Sequence, residues 1–320
     1  MSEKFDWGQH SISGEDVFLA GWDTLGNLDD ANKYCTQIAK SHYENFVISN
    51  YLTPPEIRQH IENIYAFCRY GDDLGDEAPF PPSGRVKLLE AWKQDLSIAA
   101  ENNWDGNPRH PILIAVADTA KKFKIPVKPF LDLIHAFTLD QTKTIYKTWD
   151  ELRDYCKYSA DPVGHLFLYI YGHDDDELRA LSDYTCTALQ LANHWQDISR
   201  DLVQDRIYLP LQTMDTFGYK IEDYQNKVYD ERWIKALKFE VDRAQEWFDK
   251  GKPLWDKVDK HLSVDLEMFT LGGEEILKSI RKQNYNTWKK RPKVSKFKQL
   301  RLFFTAKRKW KKANSKNSKK

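Results

Sequence analysis

Apolar residues return every three or four positions along most of the chain: Ile57, Ile61, Ile64, Tyr65 and Cys68, then Val86, Leu89, Trp92, Leu96 and Ala99, then Leu131, Ile134 and Phe137. That is the period of an amphipathic helix, in which side chains three and four apart share a face. Convincing period-two alternation is scarce, so the pattern predicts an all-α chain. "PFPPSG" (79–84) and "NNWDGNPRHP" (102–111) interrupt it as loops, because Pro, Gly and Asn crowd together there. Thr148 followed by Glu151 has capping-box spacing and predicts a helix through "ELRDYCKYSA". No stretch rich in Gly, Ser or Pro divides the first 290 residues, which predicts one large domain over 1–290.

Composition narrows the class. Aromatic residues make up 13% and charged residues 30%, the balance of a folded globular protein. No apolar run approaches the roughly 20 residues that span a bilayer, and "MSEKFDWGQH" lacks the basic-then-apolar order of a secretory signal. The expectation is a cytoplasmic protein. Cys35, Cys68, Cys156 and Cys186 are too scattered for a zinc site and read as buried free thiols.

The net charge of +0 conceals an asymmetry, because residues 291–320 hold 13 Lys or Arg and no acid. The remainder carries 35 bases (48 − 13) against 48 acids, or −13. Phe297, Leu300, Leu302, Phe303, Phe304 and Trp310 are interleaved with the basic residues, a combination suited to the anionic inner face of a membrane. A plain solvated terminus is the alternative. Nucleic acid is disfavoured, since the acidic body would repel it.

The chemistry lies in two acidic segments. In "YAFCRYGDDLGDE" (65–77), Asp72 and Asp76 stand four apart, with Asp73 and Glu77 beside them. In "LQLANHWQDISRDLVQDRIYLP" (189–210), Asn193, Asp197 and Asp201 repeat that spacing, and Gln190 lies one turn earlier. With 48 acids in the chain, pairs at i, i+4 arise by chance on the order of seven times, so the default for each is a solvated face. The surroundings argue otherwise: Leu189, Leu191, Ala192, Trp195 and Ile198 make the second segment strongly apolar. Stacked carboxylates repel unless a cation sits among them, and Mg²⁺ takes one or two carboxylates together with phosphate and water. Two acid-lined helices across an apolar cavity would hold Mg²⁺ on a prenyl diphosphate.

These two segments resemble the aspartate-rich motifs of the squalene and phytoene synthase family, and "HYENF" (42–46), "YCKYSADPVGHLFLYIYG" (155–172) and "NHWQD" (193–197) resemble its bacterial hydroxysqualene-forming branch. The resemblance spans about residues 40–275. It implies an all-α isoprenoid synthase fold with a central cavity over 1–290, with the tail 291–320 outside it. It implies Asp72, Asp76, Asn193, Asp197 and Asp201 as the Mg²⁺–diphosphate ligands, with Asp73 and Glu77 supporting. Arg69 matches a residue near the diphosphate, with a structural salt bridge as its alternative. Tyr65, Tyr155 and Gln190 match positions lining the chamber, where core packing is the commoner reason for a Tyr. Ala160 and Gly164 match small residues that leave room for the prenyl chain, or that let helices pack.

The implied substrate is presqualene diphosphate, and the implied reaction is loss of diphosphate with capture of the carbocation by water, possible partners being neighbouring squalene-pathway enzymes. NADPH is not expected, as there is no hydride step and no GxGxxG fingerprint. The rivals are a synthase that condenses two prenyl diphosphates and a non-catalytic membrane-associated scaffold. Three departures stand out. Glu44 replaces a basic residue of squalene- and dehydrosqualene-forming relatives; His194 replaces an apolar or aromatic residue usual in the hydroxysqualene-forming branch, and Asp205 stands where Gly is usual before Arg206.

Overall fold

The computed structural model describes residues 27–41 and 53–294. The "HYENF" segment with Glu44 and residues 295–320 of the basic tail lie outside the described residues. The described chain is all-α: α1 (Leu28–Ser41), α2 (Pro55–Asp76), α3 (Pro82–Ala99), α4 (Glu101–Trp104), α5 (Pro111–Phe123), α6 (Lys128–Leu139), α7 (Trp149–Ser159), α8 (Asp161–Ile170), α9 (Asp176–Asp201), α10 (Leu211–Thr216), α11 (Ile221–Gln225), α12 (Glu231–Gly251) and α13 (Lys260–Lys282). Extended pairing among the described residues is a single parallel bridge, Ile145 to Ile207. No described helix is long and apolar enough to cross a membrane.

The helices group into two compact units, one built from the chain up to Thr142 with His165–Asp174, the other from Lys143–Gly164 with the chain from Asp175 onward. In the first, α2 packs against α1, α3, α5 and α6. Ile57, Ile61, Ile64, Phe67 and Leu74 point inward from α2. The Phe67 ring stacks on Trp92 (centroids 5.4 Å apart) and meets Phe130 edge-on at 5.1 Å. Each such buried side chain contributes about 1.5–3 kcal/mol of transfer free energy. In the second unit, α9 is the central element and packs against α7, α12 and α13.

Local expectations hold with informative shifts. The last three residues of "PFPPSG" form the first turn of α3, where a proline costs no hydrogen bond. Within "NNWDGNPRHP", Asn102, Asn103 and Trp104 take left-handed φ of 49°, 62° and 68°. Asp95 then ties the following stretch down by accepting from the backbone N–H groups of Arg109 (3.1 Å) and His110 (2.9 Å). Thr148 caps α7, its hydroxyl accepting from Glu151 N–H at 3.2 Å, while the Glu151 carboxylate reaches back to Lys147 N–H rather than to Thr148. The stripe on α6 is rotated: Phe130, Leu133, Ile134 and Ala136 are buried, whereas Leu131 and Phe137 are half-buried. All four cysteines carry free thiols; Cys35 and Cys156 are buried, Cys68 and Cys186 half-buried.

Candidate active site

In the first unit, Tyr65, Arg69, Asp72 and Asp76 follow one another at intervals of four, three and four along α2. They form a half-buried stripe beside the inward apolar face. Two glycines in the motif have a packing reason. A Cβ on Gly71 would lie 2.6 Å from the Phe137 ring of α6, and one on Gly75 would lie 3.2 Å from the Gln141 amide. Only glycine lets α6 approach the acidic turn this closely.

Arg69 ion-pairs with Asp73, and its guanidinium also stands 3.7 Å from Asp72 and 3.9 Å from Glu77. Its structural salt bridge therefore exists, made to the supporting acid Asp73. Asp72 is pushed up to about 7, first by partial desolvation of its carboxyl, then by the charge on Asp76 one turn away, with smaller contributions from Asp73 and Asp140; Arg69 opposes them. Its side chain is 49% exposed, so water moderates the repulsion without removing it. Asp140, at the C-terminal end of α6, is an acid of this cluster that helical spacing does not reveal.

In the second unit, Gln190, Asn193, Asp197 and Asp201 run along one side of α9. Leu191, Ala192, Trp195 and Ile198 are buried on the other. Asp201 is the last residue of the helix, and a 3₁₀ turn, Leu202–Gln204, reverses the chain. Asp205 ends that turn at φ 58°, which is the reason a glycine suits this position, and Arg206 N–H then donates back to the Asp201 carbonyl at 2.9 Å.

Asp197 is held by Arg291, whose Nε donates to one carboxylate oxygen at 2.5 Å and whose amino group donates to the other at 2.8 Å. The same guanidinium donates to Gln196 Oε1 at 3.0 Å, and Gln196 Nε2 donates to the Pro292 carbonyl at 2.7 Å. The head of the basic segment is thus docked onto the second acidic motif, a contact that its solvated, charged composition did not signal.

Beside this stripe lies an aromatic cluster. Backbone pairing of Ile207 N–H with the Thr144 carbonyl (2.7 Å) and of Leu211 N–H with the Tyr146 carbonyl (3.0 Å) brings Tyr146 and Tyr208 together. Their rings stack at 5.6 Å, with Tyr155 at 5.4 Å from Tyr146 and 5.9 Å from Tyr208. His194 stacks face to face on Tyr208 at 3.7 Å. Tyr155 is thus the centre of a buried aromatic wall, of which sequence reasoning found one member. Ala160 is buried at the break between α7 and α8. A Cβ on Gly164 would collide with Ser182 and Cys186 of α9, so its smallness serves helix packing.

The donors fit a hard divalent cation. Every side chain named for it offers oxygen, and the mutual repulsion that raises Asp72 is the kind a cation relieves. Among the described residues no three His, Cys, Asp or Glu side chains converge on one point. A cation at either set would complete its shell with phosphate oxygens and water, as Mg²⁺ commonly does.

An all-α fold with one acid-striped helix in each unit, the one in the second unit beside an aromatic wall, fits an isoprenoid synthase class. The chain belongs to the squalene/phytoene synthase family, whose model matches residues 9–298. The crystal structure of squalene synthase HpnC from Alicyclobacillus acidocaldarius is 43% identical, with a TM-score of 0.76, covering 81% of this chain and 96% of that one. The 15-cis-phytoene synthase of Synechococcus elongatus is 30% identical over 292 residues, 86% of this chain and 92% of the relative. A dehydrosqualene synthase crystal structure shares the fold, with a TM-score of 0.77 at 22% identity, covering 92% of this chain and 98% of that one.

Proposed function

We propose that the protein converts presqualene diphosphate to hydroxysqualene, within the prenyl diphosphate chemistry of its family. The observation that carries this is the oxygen-rich stripe of Asn193, Asp197 and Asp201 beside the buried wall of Tyr146, Tyr155 and Tyr208. Such a surface suits a ligand that is polyanionic at one end and greasy at the other. The branch assignment rests on the "NHWQD" and "YCKYSADPVGHLFLYIYG" segments. The 43% identity to the squalene synthase HpnC structure, against 30% to the Synechococcus phytoene synthase, supports the squalene side of the family.

In this reading Asp72 and Asp76 on α2 would hold Mg²⁺, as would Asn193, Asp197 and Asp201 on α9, and the metal would supply positive charge that neutralises a leaving diphosphate. Arg69 adds positive charge on the α2 side. The C–O bond breaks, the cyclopropylcarbinyl cation rearranges with ring opening, and water adds to give the alcohol. Tyr155 and Tyr208 present ring faces that favour a nearby cation and exclude bulk water. No hydride enters, so NADPH is dispensable.

The test is mass-spectrometric product analysis with Mg²⁺, offering presqualene diphosphate and farnesyl diphosphate separately, with and without NADPH. Hydroxysqualene from the first alone, without NADPH, is expected. A second reading, condensation of two prenyl diphosphates head to head, is favoured by the similarity to phytoene synthase; a C30 or C40 hydrocarbon from linear diphosphates would select it. We further propose that the basic tail brings the protein to anionic membrane surfaces. Equal vesicle binding with and without residues 295–320 would discard that part.

A further inference from the structure

The oxygen-bearing stripe of α9 includes a cation. At about 100° per residue, Gln190, Asn193, Asp197, Arg200 and Asp201 fall within an arc of about 100° around the helix axis. All five keep solvent-accessible surface, whereas His194 and Gln196, which flank the arc, are buried. Four of the five offer side-chain oxygen. Arg200, one turn beyond Asp197 and two beyond Asn193, is the fifth.

Little within the fold uses this guanidinium. Its side chain is 67% exposed, and its Nε stands 3.7 Å from Asp197 Oδ1, beyond hydrogen-bonding distance. Its N–H donors make no hydrogen bond among the described residues. So exposed an ion pair adds little stability. Nor does Asp197 depend on it, since Arg291 already engages both carboxylate oxygens. A favourable contact with the negative end of the helix is the plain alternative, but that could be made from any side of the last turn. Its place on the oxygen arc is what needs a reason. The last turn of α9 carries roughly half an elementary negative charge from the aligned peptide groups, in addition to Asp197 and Asp201. A diphosphate brought to this face meets that repulsion, and Arg200 is the basic residue of the turn. Its planar fork matches two phosphate oxygens, and it can turn to them without giving up a hydrogen bond.

We infer that Arg200 is a direct ligand of the diphosphate group on the α9 side. This rests on the reading of the α9 stripe as the diphosphate face, and not on which prenyl diphosphate the protein takes. The guanidinium donates to the phosphate oxygens before and after the C–O bond breaks. The electron pair of that bond leaves with the diphosphate oxygen, and no proton moves, because the guanidinium stays protonated throughout. The contact therefore persists on the released anion, and affinity for inorganic diphosphate reports it without turnover.

Calorimetric titration with inorganic diphosphate, at fixed Mg²⁺ and ionic strength, compares wild type with Arg200→Gln, Arg200→Lys and Lys257→Gln. Arg200→Gln should bind at least about tenfold more weakly, the loss expected for hydrogen bonds between charged groups. Arg200→Lys, which keeps the charge and loses the fork, should lie between that variant and wild type. Lys257→Gln removes a charge beside Glu177, at the opposite end of α9, and should bind within about twofold of wild type. All three variants should melt within about 2 °C of wild type, since each substitution is at the surface. Equal affinity in wild type and Arg200→Gln overturns Arg200 as a ligand, as does an equal loss in Lys257→Gln; both leave the α9 stripe as the diphosphate face. No diphosphate binding by wild type overturns that reading, and the inference with it.

Discussion

Arg291 grips Asp197 with two parallel hydrogen bonds, of 2.5 and 2.8 Å, across 94 residues of chain. Both side chains are 23% exposed, so the pair is largely shielded from solvent and not a freely hydrated surface contact. Removing the fork should show as lost stability. Arg291→Gln is expected to lower the unfolding free energy of the metal-free protein by about 1.5–3 kcal/mol, the range for hydrogen bonds to a charged group. Arg291→Lys should recover less than half of that, because an ammonium cannot reproduce the planar fork. Urea titrations of the three proteins decide it; equal midpoints would mean that the pair contributes nothing.

Asp72 makes a pH prediction whose sign follows from linkage. Its folded-state value, about 7, lies above the ordinary 3.8, so between those values the folded protein binds more protons than the unfolded chain. Stability at this site is then full below the lower value and falls as pH rises towards the upper one. Asp72→Asn removes that loss. The melting temperature of the variant minus that of wild type should be near zero at pH 4 and grow positive by pH 8. A flat difference would refute the raised carboxyl.

Asp197→Asn tests the proposed metal role directly. It keeps the shape while removing a charge expected to hold Mg²⁺, and a loss of several kcal/mol of transition-state stabilisation corresponds to a fall in turnover of about a hundredfold or more. The far-UV circular dichroism should be unchanged. Full turnover in steady-state assays would remove Asp197 from the site.

Gly71 should resist enlargement. Its added methyl group would meet the Phe137 ring at 2.6 Å, and overpacking of this kind costs about 1–3 kcal/mol. Gly71→Ala should be destabilised by that amount, and Phe137→Leu should relieve part of it. A double-mutant cycle measured by denaturant unfolding would show coupling energy above about 0.5 kcal/mol if the contact is the cause.

Asp205 carries a left-handed φ of 58° without being glycine. That conformation costs an L-residue about 1–2 kcal/mol, less for Asp, while glycine surrenders some of the gain as chain entropy. Asp205→Gly should therefore stabilise the protein by about 0.5–1 kcal/mol, read as a shift in the urea midpoint at constant slope.

Much of this protein was legible from its sequence because the relevant information is local. The 3.6-residue repeat predicted the helices, the spacing of Asp72 to Asp76 and of Asn193, Asp197 and Asp201 put each set on one helical face, and Thr148 capped α7 as its hydroxyl requires. Helical periodicity relates residues within a few turns and is silent beyond that. Tertiary structure alone placed Asp140 near Asp72 and drew Tyr146 and Tyr208 together through the backbone pairing at Thr144 and Ile207. It also left the His194 nitrogen without a partner, and it docked Arg291 on Asp197 although the basic run around it reads as a solvated tail. Each of these depends on two chain segments meeting at side-chain precision, and that is set by how whole helices pack and not by the spacing of residues along either one.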